Sequence, residues 1–183
     1  MSEKTNKEYI AQAERARQIF IDKNNDYGMS WRILRITSLI DQIYIKSDRI
    51  RNIESGKIPQ VEDSIASEYS GIINYCLITL IQMELEGQQK HEIKFEKIID
   101  LYDLYSQKAR ELMQKKNHDY GEAWRNMYVS SFTDIILTKI MRIRQILENK
   151  GQTTVSEGIE SNLYDMINYA FFALIKINES NED

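Results

Sequence analysis

The chain has 183 residues, 42% of them hydrophobic and 28% charged, with a formal net charge of -4 and a pI near 5.4. This is the composition of a folded globular chain, one domain or two small ones, that can bury a core without metal or disulfide staples; its acid excess argues against a general coat for duplex nucleic acid, which needs a basic face. One cysteine excludes an internal disulfide framework, the N-terminus lacks an apolar signal segment and no apolar stretch is long enough for a bilayer, so a cytoplasmic protein off the membrane is expected.

In chain order, apolar residues at helical spacing predict helix A over roughly Glu3 to Asn24, closed by an Asp-Tyr-Gly tripeptide whose Gly28 can take a left-handed turn. Helix B follows over roughly Ser38 to Ser55. The link Gly56 to Asp63 contains the only proline, Pro59, and leads to helix C over roughly Asp63 to Leu85. The same three elements are then expected again, at about Glu92 to Asn117, Ser130 to Asn149 and Ser156 to Asn178. No stretch shows the period-2 alternation of a strand.

The second set is a copy of the first. Lys23 to Arg32 reads KNNDYGMSWR and Lys116 to Arg125 reads KNHDYGEAWR, with seven of ten positions identical at an offset of 93. Ser38 to Ile53 matches Ser131 to Ile146 at eight of sixteen positions and the same offset. Val61 to Tyr75 matches Val155 to Tyr169 at an offset of 94, ending in Ile-Asn-Tyr in both. Matches at a near-constant offset across three blocks mark an internal duplication. The expectation is an all-α fold of six long helices, built as two fused three-helix repeats (residues 1–88 and 89–183, split near Gly87 to Lys90). The repeats share one core and are related by a pseudo-twofold axis, because a lone three-helix unit would expose a large apolar face.

Three features could carry chemistry. The repeated loop holds both tryptophans of the chain, Trp31 and Trp124, each four residues after a tyrosine. They can anchor the loop on the core; alternatively Tyr120 or Trp124 stacks on a base while Lys116 or Arg125 meets a phosphate. On the second helix C, Glu157, Ser161, Asp165 and Asn168 share a sector about 80° wide, with Glu160 to one side. This is either a solvated face with one structural Asn, or Glu160 and Asp165, with Glu157, hold a divalent cation such as Mg²⁺. The first copy has Ala66 and Gly71 in place of those two acids, and its Glu68 stands at the position of Asn162. On helix B, Lys139 and Arg142 share a face, as do Lys46 and Arg49. They are either solvated or bind phosphate or helix C acids, and the matching acids are expected to be missing in the first copy. Cys76 lies in an apolar run and reads as an inert core thiol. His91 and His118 have no partner at metal-ligand spacing.

The block KNHDYGEAWR, followed by K-x-x-R-I and by E-x-x-x-x-D-x-x-N-Y, resembles the nucleotide-modification-associated domain 1 family. The second copy carries its pattern at Lys116, Asp119, Tyr120, Gly121, Trp124, Lys139, Arg142, Glu160, Asp165, Asn168 and Tyr169; the first keeps the loop and the Lys/Arg pair. The resemblance implies an association with nucleotide or base modification. A weaker similarity to the MazG-like all-α nucleoside triphosphate pyrophosphatases implies acidic helices holding Mg²⁺ and cleavage between α- and β-phosphates, although their E-E-x-x-E signature is absent.

The resulting expectation is a nucleotide-handling protein, taken first as a Mg²⁺-dependent nucleotide hydrolase. Glu160 and Asp165 would be its catalytic and metal-holding acids, and Lys116, Asp119, Tyr120, Trp124, Arg125, Lys139, Arg142, Asn168 and Tyr169 would bind the substrate. Two rivals stand beside it: a non-catalytic sensor of nucleotides or other phosphorylated small molecules, and a helical interaction module. A homodimer stays open.

Overall fold

The computed structural model describes residues 2–61, 63–88, 93–152 and 157–182. The six expected helices are all present: α1 (Glu3–Tyr27), α2 (Ile36–Glu54), α3 (Ile65–Glu84), α4 (Phe95–Tyr120), α5 (Val129–Glu148) and α6 (Ile159–Glu182). Among the described residues there is no strand. The expected helix starts at Glu92 and Ser156, the split at Gln89 and Lys90, and His91 lie outside the described residues.

Local chemistry sets several of the ends. The Ser2 hydroxyl accepts from the Thr5 N–H and caps α1, and the Ser64 hydroxyl accepts from the Ser67 N–H and caps α3. The two long helices run three residues beyond the expected Asn24 and Asn117, through the Asp-Tyr of the motif. They stop where Gly28 and Gly121 take φ near +60°, a conformation that an L side chain resists. Each copy then adds a short 3₁₀ turn that the periodicity did not reveal, Ser30–Ile33 and Ala123–Asn126, and each turn buries its tryptophan.

The centre of the molecule is the pair α3 and α6, which pack against each other. Both are buried almost without break along their middle, over 72–81 in α3 and 162–175 in α6, as expected for helices enclosed on every side there. α2 covers α3, α5 covers α6, and α2 and α5 meet. α1 and α4 each lie across both central helices. The buried apolar residues form one cluster drawn from both copies, with Tyr9, Phe20, Ile73, Tyr102, Phe132 and Phe171 among its members.

Polar locks inside this core tie one copy to the other. The Tyr9 hydroxyl donates to Asn168 Oδ1 at 2.8 Å, and at the equivalent positions the Tyr102 hydroxyl donates to Asn74 Oδ1 at 2.8 Å. Each Asn also donates back to its own copy's long helix, Asn168 to the Ala109 carbonyl and Asn74 to the Ala16 carbonyl. Equivalent residues therefore make equivalent bonds, crosswise. Leaving one of these buried groups unpaired would cost about 1–3 kcal/mol.

Candidate functional site

The motif residues of the second copy come from three helices and meet at one carboxylate. Asp165, on α6, is 5% exposed. Its two oxygens accept separately, one from Lys116 Nζ of α4 and the other from Lys139 Nζ of α5, each at 2.5 Å. Lys139 is enclosed, whereas the Lys116 side chain is 46% exposed. Burial works against the Lys116 charge, but the Asp165 bond and field outweigh it and hold the ammonium above its ordinary value. Tyr169 is half-buried beside this group, its hydroxyl pushed up by burial first and then by the Asp165 charge. Its ring packs near Phe132 and edge-on to Phe172. Tyr120 (73% exposed), Asp119 and Arg142 face solvent around the site.

The three acids expected to hold Mg²⁺ do not come together. Asp165 spends both oxygens on ammonium groups. Glu160 lies about 140° around the helix from it and accepts the Tyr164 hydroxyl at 2.9 Å. Glu157 accepts the Ser161 hydroxyl. Among the described residues no three Asp, Glu, His or Cys side chains are grouped to hold a metal. A hard cation needs carboxylate oxygens that are free to turn toward it, so the residues present do not fit a resident Mg²⁺.

Other expected binding residues have structural employment. Trp124 is buried, stacked on Phe172 with ring centroids 4.3 Å apart and planes 4° apart. The Arg125 guanidinium covers its ring at 4.4 Å. Arg125 also donates to Glu8 and Thr5 of α1, to Glu122, and to Glu179 of α6. Neither side chain is free to meet a base or a phosphate. Asn168 is committed to Tyr9 and Ala109, as described above.

The first copy departs from its expected role. Its helix B cations do have an acid: Glu68 accepts from Lys46 Nζ at 3.0 Å and from Arg49 Nη1 at 2.7 Å. Glu68 sits three residues before the position of Asp165, so the acid is displaced by about one helical turn rather than lost. Spacing had shown Glu68 out of register with Asp165, but the flexible stems of Lys46 and Arg49 reach it. The signal for it was an acid one turn upstream on the same helix. At Gly71, the true equivalent of Asp165, the Lys46 chain lies so close that an added Cβ would meet its Cε at 2.6 Å. Beside it opens a cavity of about 540 Å³, whose walls include Lys23, Tyr27, Trp31, Lys46, Gly71 and Tyr75. These are first-copy versions of the residues expected to form the site in the second.

No curated protein and no solved structure matches the chain. One family does, described as nucleotide modification associated domain 1, and it matches twice, over residues 23–83 and 116–177. Both matches begin at a motif lysine, Lys23 or Lys116, and run through the Asn-Tyr of the central helix. Together they cover more than half of the sequence in two tandem segments, and the chain belongs to the nucleotide modification associated domain 1 family.

Proposed function

We propose that the protein binds a nucleotide without hydrolysing it through a resident metal. The observation that supports this reading is the convergence of the family's motif residues. Lysines from two helices and an acidic or glycine position on a third meet at one place, with motif tyrosines around it. Ammonium groups beside tyrosine rings suit an anionic phosphate joined to a flat base. Asp165 is paired with those ammonium groups, and Glu160 and Glu157 accept tyrosine and serine hydroxyls, which supports a reading without a resident Mg²⁺. The sensor reading is thereby favoured over the hydrolase.

The test is a thermal-shift panel of ribo- and deoxynucleotides, run with chelator and with Mg²⁺, followed by product analysis. A ligand at one hundred times its Kd should add about 2.7 kcal/mol. The expected result is a shift of similar size in chelator and in Mg²⁺, with the nucleotide recovered intact. Mg²⁺-dependent turnover would return the hydrolase reading, and a flat panel would favour the interaction module.

A further inference from the structure

The second copy carries the more complete motif, yet its two lysines are already paired: Asp165 draws in Lys116 and Lys139. In the first copy the equivalent of Asp165 is Gly71, so the central helix offers no carboxylate at that position to Lys23, the equivalent of Lys116. Lys23 is exposed on the wall of the cavity of about 540 Å³ and makes no ion pair among the described residues. Lys46 crosses the face of Gly71 and shares Glu68 with Arg49, so two cations balance one acid there. Asp63 is the other acid on the wall. The wall carries Lys23 and Lys46 beside Glu68 and Asp63, and Arg49 holds one Glu68 oxygen from outside the cavity, so part of the Glu68 charge is already met and the Lys23 ammonium is left to receive a small anion. The volume lies in the range of small-molecule sites, roughly 300–1,000 Å³. The aromatic side chains on the wall are Phe20, Tyr27, half-buried Tyr75 and Trp31, whose ring is fixed by an Nε1–H bond to Asn24.

We propose that the first copy is the ligand site, taking a nucleoside monophosphate with its phosphate between Lys23 and Lys46 and its base against Tyr27 and Tyr75. This inference rests on the nucleotide-binding reading above and assigns that function to one copy. Loss of the acid at position 71 is then what opens the site. The second copy, whose Lys116 and Lys139 are paired with its own carboxylate, serves as its scaffold. A single phosphate suits the two lysines better than a triphosphate, whose added charge would meet Glu68 and Asp63 on the same wall.

The experiment is calorimetric titration of the full chain with nucleoside 5′-monophosphates and with the matching nucleosides, on wild type, Gly71→Asp and Lys23→Gln. Gly71→Asp rebuilds the second copy's arrangement in the first: the new carboxylate takes Lys46 and Lys23, and the displaced atoms belong to the end of a flexible lysine. Wild type should bind at least one monophosphate, at least tenfold more tightly than its nucleoside. Both variants should bind that monophosphate at least tenfold more weakly, with ligand-free melting temperatures close to wild type. Lys23→Gln is the safeguard should Gly71→Asp fold poorly, because Lys23 is exposed. If wild type binds a nucleotide and both variants bind it within twofold of wild type, the ligand sits elsewhere and this inference falls while nucleotide binding stands. If no mono-, di- or triphosphate binds wild type, the nucleotide reading itself falls and takes this one with it.

Discussion

Replacing Asp165 by Asn removes a charge from the most enclosed ionic group of the second copy. The carboxylate is held between Lys116 and Lys139 at 2.5 Å on each side, and its side chain is 7% exposed. Breaking a buried ion pair from one side costs about 3–5 kcal/mol, because the remaining charge is stranded. Two features of the site trim that figure. Lys116 is nearly half exposed and can swing its ammonium into water, and the Asn oxygen still accepts one hydrogen bond. Lys139 cannot escape so easily, and its stranded charge sets the bulk of the loss, about 2–4 kcal/mol. For a chain of this length each kcal/mol moves Tm by roughly 2–4 °C, so Asp165→Asn should melt about 4–16 °C below wild type. The assay is urea denaturation beside thermal melting, with the double variant Asp165→Asn/Lys139→Met as its control. The double variant removes the stranded ammonium and should recover about half of the loss or more. A single variant within about 0.5 kcal/mol of wild type would refute the buried, paired assignment. So would a Mg²⁺-dependent nucleotide shift that disappears in Asp165→Asn while stability is unchanged, since that is the behaviour of a metal ligand.

Trp124→Ala should cost about 3–5 kcal/mol in denaturant, since it removes a buried ring held between Phe172 and Arg125; a loss under about 1 kcal/mol would show that the ring is not part of the core. Asn168→Ala strands the Tyr9 hydroxyl, while the Ala109 carbonyl keeps its helical bond, and should destabilise by about 1–3 kcal/mol, with Asn74→Ala matching it to within about 1 kcal/mol because the bonds are equivalent; a harmless Asn74→Ala would separate the two locks. Burial pushes the Glu122 carboxyl up, but hydrogen bonds from Ser2, Thr5 and Arg125 outweigh it and hold the group at about 2. A depressed carboxylate stabilises the fold above its unfolded value and loses that contribution as pH falls toward 2, so wild type should lose about 1–2 kcal/mol more than Glu122→Gln between pH 4.5 and 2; parallel pH curves for the two proteins would refute it.

Much of this architecture was legible before any coordinates. The constant offset between KNNDYGMSWR and KNHDYGEAWR identified two copies of one helical unit, and 3.6-residue periodicity located all six helices to within a few residues. The errors at the ends have a simple cause. The Asp-Tyr-Gly tripeptide reads as the closing turn, but Asn24 and Asn117 are buried within the last turn, and the chain stays helical through Asp-Tyr until glycine frees it. The central place of the two helices C was also visible, because they carry long, mostly apolar stretches that can be stable only when enclosed.

What the linear chain could not decide was which polar groups meet. Asp165 and Lys116 are 49 residues apart, and Arg125 finds Glu8 117 residues away in the other copy. Periodicity assigns a residue to a face of its own helix; it does not set the crossing and register of the neighbouring helix. Glu68 shows the consequence, since a full turn of mismatch is bridged by the stems of Lys46 and Arg49. From sequence, the absence of an acid at position 71 leaves open whether the first copy keeps a site. In the fold Gly71 lies on the wall of the cavity that Lys23 also lines, while the lysines of the second copy are paired with their own Asp165. Residue types and spacings were set by the sequence itself. Whether a carboxylate is a free ligand or a neutralised strut was decided by tertiary packing, because that depends on which cations the surrounding helices bring within reach.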